Sequence, residues 1–138
     1  MNTRSPNTPY WLRNGHADTL FAKLLQGKVP DYRRELLPDS TGKTQVAYDF
    51  VDSADPDAPL VVLFHGLEGS SESHYAVELM KAVQQRGWNG VVAHFRSCGG
   101  IENTAPVFYH LGDTPEIAFM LNTLAQRYST IYAVGVSL

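Results

Sequence analysis

The 138 residues are 43% hydrophobic and 18% charged, and 14 acidic against 11 basic side chains leave a net charge of -3. That length suits one domain, able to bury about 70% of its unfolded surface, and the charge balance leaves no basic stripe for binding nucleic acid. A single cysteine, Cys98, excludes a disulfide scaffold, and no apolar run approaches the roughly 18–20 residues that span a bilayer.

Residues 1–30 are rich in Pro and Asn, with a short apolar patch at Leu20, Phe21, Leu24 and Leu25, and read as an irregular arm. The first six residues lack the apolar core of a secretory signal, so a soluble, cytoplasmic protein is expected. Residues 32–37 and 44–51 read as strands. In the second, Val46, Tyr48 and Phe50 alternate with Gln45, Ala47 and Asp49, the period of a strand with one buried face. Pro38, Asp39 and Gly42 between them supply turn chemistry, which predicts a hairpin. Residues 52–59 form a polar loop.

The pattern then changes. Residues 60–64 are a continuous apolar run, as expected of a strand covered on both faces. A Gly- and Ser-rich loop over 65–73 precedes a helical period at Ala76, Leu79, Met80 and Val83, which stops at Gly87. Residues 91–95 read as a second buried strand. Asp113, Pro115 and Glu116 mark a helix start, with Ile117, Met120, Leu121 and Leu124 as its apolar stripe. A third apolar strand runs over 131–136. A hairpin followed by β-α-β-α-β predicts a doubly wound α/β sheet, mostly parallel after the hairpin.

Chemistry concentrates at strand ends. Gly135-Val136-Ser137-Leu138 is four fifths of a G-x-S-x-G nucleophile elbow, in which a strained turn after a strand presents the serine. Taken alone, G-x-S at a strand end fits an ordinary strand terminus about as well. His65-Gly66-Leu67-Glu68-Gly69 follows the first buried strand, where an oxyanion loop would lie. The competing reading, a phosphate cradle, lacks both glycine fingerprints of such loops.

Taken together, His65-Gly66-Leu67-Glu68-Gly69-Ser70, Arg86-Gly87-Trp88, His94-Phe95-Arg96-Ser97-Cys98-Gly99-Gly100, Tyr109-His110-Leu111-Gly112-Asp113-Thr114, the terminal Val134–Leu138 string and Asn14-Gly15-His16 are specific. They resemble the amino-terminal part of YheT-type α/β-hydrolases, relatives of α/β-hydrolase-domain lipases and embryogenesis-associated hydrolases. The resemblance implies one partial α/β-hydrolase domain over 1–138, with an arm over 1–30 and the hairpin and β-α-β-α-β unit over 31–138. It implies Ser137 as nucleophile and the amides of Leu67 and Leu138 as oxyanion donors, with His65, Gly66 and Gly135 supporting the loop and elbow. The substrate would be a small ester or lipid-like molecule, with no cofactor and no metal. An acyltransferase, lipase or thioesterase would use the same residues.

The resemblance also implies a triad acid and a general-base histidine after the nucleophile, so these 138 residues alone are expected to be inactive. None of the chain's five histidines reads as a substitute. His65 is expected to orient its loop and His94 to be a hydrogen-bonded structural residue near Arg96, while His16, His74 and His110 suit local roles. Asp113 suits a helix cap and Cys98 a small loop position, without the spacing of a metal site. Two further expectations remain: a non-catalytic remnant or interaction module, and self-association through an exposed last strand.

Overall fold

Short apolar runs separated by polar loops produce the strands, and two amphipathic stretches produce the helices. The computed structural model describes residues 28–66, 69–104 and 113–136. Its elements are β1 (Arg33–Pro38), β2 (Gln45–Val51), β3 (Leu60–Phe64), α1 (His74–Gln85), β4 (Asn89–Ala93), α2 (Thr114–Ala125) and β5 (Ile131–Gly135). The sheet order is β1-β2-β4-β3-β5. The hairpin and the β2–β4 pair are antiparallel, while β3 pairs parallel with β4 and β5. This is a partial α/β-hydrolase fold.

That order places the helices. The first crossover steps from β3 to β4, and the second returns past β3 to β5. Crossovers of one hand running in opposite directions put their helices on opposite faces of a sheet. Each face accordingly has its own core. On one, Val62, Phe64, Val91 and Tyr48 pack with Met120 and Leu124 of α2; on the other, Val61, Leu63 and Val92 pack with Ala76, Met80 and Val83 of α1. Every residue of β3 is buried, as the apolar run required.

The capping signals act as expected at α2, where the Asp113 carboxylate accepts the Glu116 amide and Pro115 occupies the first turn. Two expectations need correction. β2 does not have one wet face: Ala47 and Asp49 are as buried as Val46 and Tyr48, because the strand lies between β1 and β4 and both its faces are covered. β4 spans Asn89–Ala93 rather than 91–95, so His94 and Phe95 belong to the loop beyond it. Gly90 is a β4 residue in a tight place: a Cβ there would come within 2.6 Å of Met80 Sδ and 2.8 Å of Val51. Among the described residues, no helix is long and apolar enough to cross a membrane.

Candidate active site

In a parallel sheet, ligands gather outside the carboxyl ends of strands, where successive connections leave toward opposite faces. The loop after β3 leads to α1 and the loop after β4 leads to α2, so the crevice between these two loops meets that condition. A cavity of about 470 Å³ opens there, lined by Gly69, Ser70 and Ser71 from the first loop, Ser97 and Cys98 from the second, and Arg34 from β1. Its second wall is under backbone constraint. Ser97 has φ 64°, an unusual conformation for a residue with a Cβ, and Gly99 and Gly100 follow in the same left-handed region.

Two buried histidines join the loops. His65, at the end of β3, accepts the Phe95 amide at Nε2 (3.2 Å), and its Nδ1 faces the Gly66 carbonyl at 2.7 Å. His94, just past β4, accepts the Ser71 amide at Nε2 (3.1 Å), and its Nδ1 faces the Ala47 carbonyl at 3.1 Å. An amide donor at Nε2 and a carbonyl at Nδ1 assign both rings as neutral with the proton on Nδ1. Each histidine thus holds the other's loop, and the rings lie 5.5 Å apart. Burial pushes the His65 pKa down. It pushes that of His94 down to about 4, with the nearby Asp49 charge opposing. Both are therefore neutral at pH 7.

Beneath them, Asp49 accepts both arms of the Arg34 guanidinium (2.7 and 2.8 Å) and the Ser71 hydroxyl (2.6 Å). Burial alone would raise this carboxyl, but Arg34 and Ser71 bring it below the usual range. Arg34 also donates to the Gly99 carbonyl, tying β1 to the loop after β4. Neither Asp49 nor Ser71 stood out in the sequence. The one available signal was a charged residue in a strand that turns out to be interior.

Arg96 makes a second buried centre. Its guanidinium meets Asp39 (2.5 Å), Asp113 (3.0 Å) and Glu116 (2.6 Å), and all four side chains are at most 7% exposed. This cluster pins the hairpin turn, the loop after β4 and the start of α2 together. Glu116, read in the sequence as part of a helix start, is also a buried ion-pair partner. Cys98 is half-buried, and burial raises its thiol pKa, so it is not an activated nucleophile.

Of the residues assigned by resemblance, His65 and Gly66 are buried at the end of β3, and Gly135 ends β5 opposite Phe64. Ser137, Leu67 and Leu138 lie outside the described residues, as do His16 and His110. A Cβ at Gly69 would collide with the Tyr75 hydroxyl, so the loop after β3 requires glycine there.

The strand order, the two helical layers and the Gly-rich loop at the crevice define the class as α/β-hydrolase. An α/β serine hydrolase homologue from Coxiella burnetii superposes with a TM-score of 0.61 at 16% identity, over 79% of this chain and 53% of that one. No family model matches the chain. Sequence narrows the class. The chain is 39% identical to YheT of Escherichia coli strain K12, named as an esterase, over 91% of its own length. It is 30% identical to an embryogenesis-associated protein of Picea glauca over 93%. The chain is a relative of the YheT-type α/β-hydrolases, and it spans only 38% and 31% of the length of these two proteins.

Proposed function

We propose that these residues form the nucleophile and oxyanion portion of a serine hydrolase that cleaves carboxylic esters through an acyl-enzyme. The observation that carries this reading is the register of β3 and β5. Phe64 pairs with Gly135, and the Val136 amide donates to the Phe64 carbonyl at 3.1 Å. The carboxyl ends of β3 and β5 therefore lie side by side at the same level. A nucleophile and the amides that receive its oxyanion need that adjacency.

In this mechanism Ser137 Oγ attacks the ester carbonyl while a histidine takes its proton, and the amides of Leu67 and Leu138 receive the negative oxygen. Collapse expels the alcohol, which takes the proton from that histidine, and water then releases the acid by the same steps. His65 and His94 do not suit the base, since each uses its Nε2 lone pair on a backbone amide. The acid and the base are assigned outside these 138 residues, consistent with relatives more than twice as long. A small ester, a cytoplasmic setting and no cofactor complete the reading.

The test compares two proteins on a short-chain p-nitrophenyl ester: the 138-residue chain, and the protein produced when the frame beyond codon 138 is included. The longer protein is expected to turn over, and Ser137→Ala to remove at least about 10³-fold of its rate. The chain alone is expected to show no Ser137-dependent hydrolysis. Equal activity of the Ser137→Ala protein would overturn the assignment, and turnover by the short chain would overturn the placement of the base.

A second reading, a non-catalytic module acting through its last strand, is favoured by one observation. β5 lies at the sheet edge, with Tyr132 52% exposed. A stop codon directly after position 138 would favour this reading.

A further inference from the structure

Asp49, Ser71 and His94 come from β2, the loop after β3 and the loop after β4, and all three are buried at the point where those segments meet. They are the residue types of a hydrolytic triad, but their connections differ. The Ser71 hydroxyl donates directly to Asp49 Oδ2 at 2.6 Å, and His94 Nε2 accepts the Ser71 amide at 3.1 Å. His94 Nε2 stands 3.8 Å from Asp49 Oδ2. With its lone pair on an amide, the imidazole is not a base for the Ser71 hydroxyl. Asp49 and His94 instead grip Ser71 at two points, side chain and backbone. A third grip comes from the Tyr32 hydroxyl, which donates to the Ser71 carbonyl at 2.7 Å.

We infer that Asp49, Ser71 and His94 form a positioning clamp on the loop after β3, and that the clamp closes only while His94 is neutral. An imidazolium donates at both nitrogens, so it would present N–H to the Ser71 N–H and lose the bond. The loop's purpose rests on the oxyanion reading above; the clamp rests on contacts within the described residues. The clamp sets the level of the segment from Gly69 to Ser73. The loop after β4 is seated on it too, because Gly99 lies against the His94 ring, where a Cβ would come within 2.8 Å.

The charged and titratable groups facing His94 set the direction of its pH response. Asp49 of β2 favours the charged ring; Arg34 of β1 and His65 just past β3 oppose it, and burial opposes it most. Tyr32 and Glu72 stand farther round the same site, each coupled to it through Asp49 or Arg34. The balance keeps the ring neutral until the pH approaches about 4. Asp49, held below the usual carboxylate range, remains charged over most of that descent.

Hydrogen exchange read by mass spectrometry on the 138-residue chain tests the clamp without recourse to catalysis. At pH 7, His94→Ala is expected to speed exchange in peptides covering residues 69–77 at least tenfold. His94→Gln should restore protection, since its carboxamide oxygen accepts from Ser71 and its NH₂ donates to the Ala47 carbonyl. Protection corrected for intrinsic exchange should fall in the parent chain as the pH nears 4, and hold in His94→Gln. If His94→Ala fails to fold, the pH comparison between the parent and His94→Gln still decides. Equal acid sensitivity in those two would overturn the clamp, as would unchanged exchange in a folded His94→Ala. Failure of the Ser137 ester test would leave this result standing, so the two readings fail separately.

Discussion

At the scale of single residues, the buried charges determine which side chains this fold cannot lose. Arg96 is shared by three buried carboxylate partners. Such a group contributes little net stability while intact, because each charge has given up its water. Removing the guanidinium they share is a different matter, since three buried carboxylates then lose a common ion-pair partner. Arg96→Met keeps most of the apolar stem and is expected to cost about 3–5 kcal/mol, read as a lower urea midpoint with an unchanged slope. Arg34→Met should cost less, because its side chain is 42% exposed and water screens the loss at Asp49. Equal midpoints for the two variants would refute the distinction between a buried and a half-exposed side chain.

At the scale of elements, the limits of the sequence have physical causes. Runs such as Leu60–Phe64 were legible because a strand buried on both faces favours continuous apolarity. The Asp113 cap was legible because it acts over three residues. The interior position of β2 was not, because its Asp49 is made burial-compatible by Arg34, 15 residues away, and Ser71, 22 residues away. The crossed histidines depend on partners 23 and 30 residues distant, which no local pattern records. The strings that resembled YheT-type hydrolases include His65, His94 and Phe95 but not Asp49 or Ser71, so the resemblance reached part of the site where periodicity did not.

The loop after β4 allows a test at this scale. Gly99 and Gly100 both have left-handed backbones, φ 66° and 80°, but a Cβ on Gly99 would strike the His94 ring while one on Gly100 would meet open space. Gly100→Ala should therefore cost only the conformational penalty, about 1–2 kcal/mol. Gly99→Ala adds overpacking against a buried ring, for a further cost of about 1–3 kcal/mol. Denaturation midpoints of the two variants measure the difference, and equal losses would remove Gly99 from the support of His94.

For the whole molecule, the decisive feature is the asymmetry of the sheet's two edges. β1 ends one edge with charged side chains: Arg33 pairs with Asp52, and Glu35 with Arg127, which screens that border from other strands. β5 ends the other with Ile131, Tyr132, Ala133 and Val134, and Ala133 and Tyr132 are exposed. Its inner side is engaged with β3, and among the described residues no strand pairs with its outer side. Trp88 stacks on Tyr132 at 5.8 Å and extends the apolar surface beside this edge. An unguarded apolar edge recruits another strand by completing its hydrogen bonds and covering its side chains together. The 138-residue chain is therefore expected to self-associate through β5 as its concentration rises, giving a mass above 15.3 kDa in light scattering. Ala133→Lys places a charge on the exposed edge without entering either core, and should return the chain toward monomer with little change in urea midpoint. A monomer over the whole concentration range would overturn the prediction. Association unaffected by Ala133→Lys would instead place the contact on a different surface.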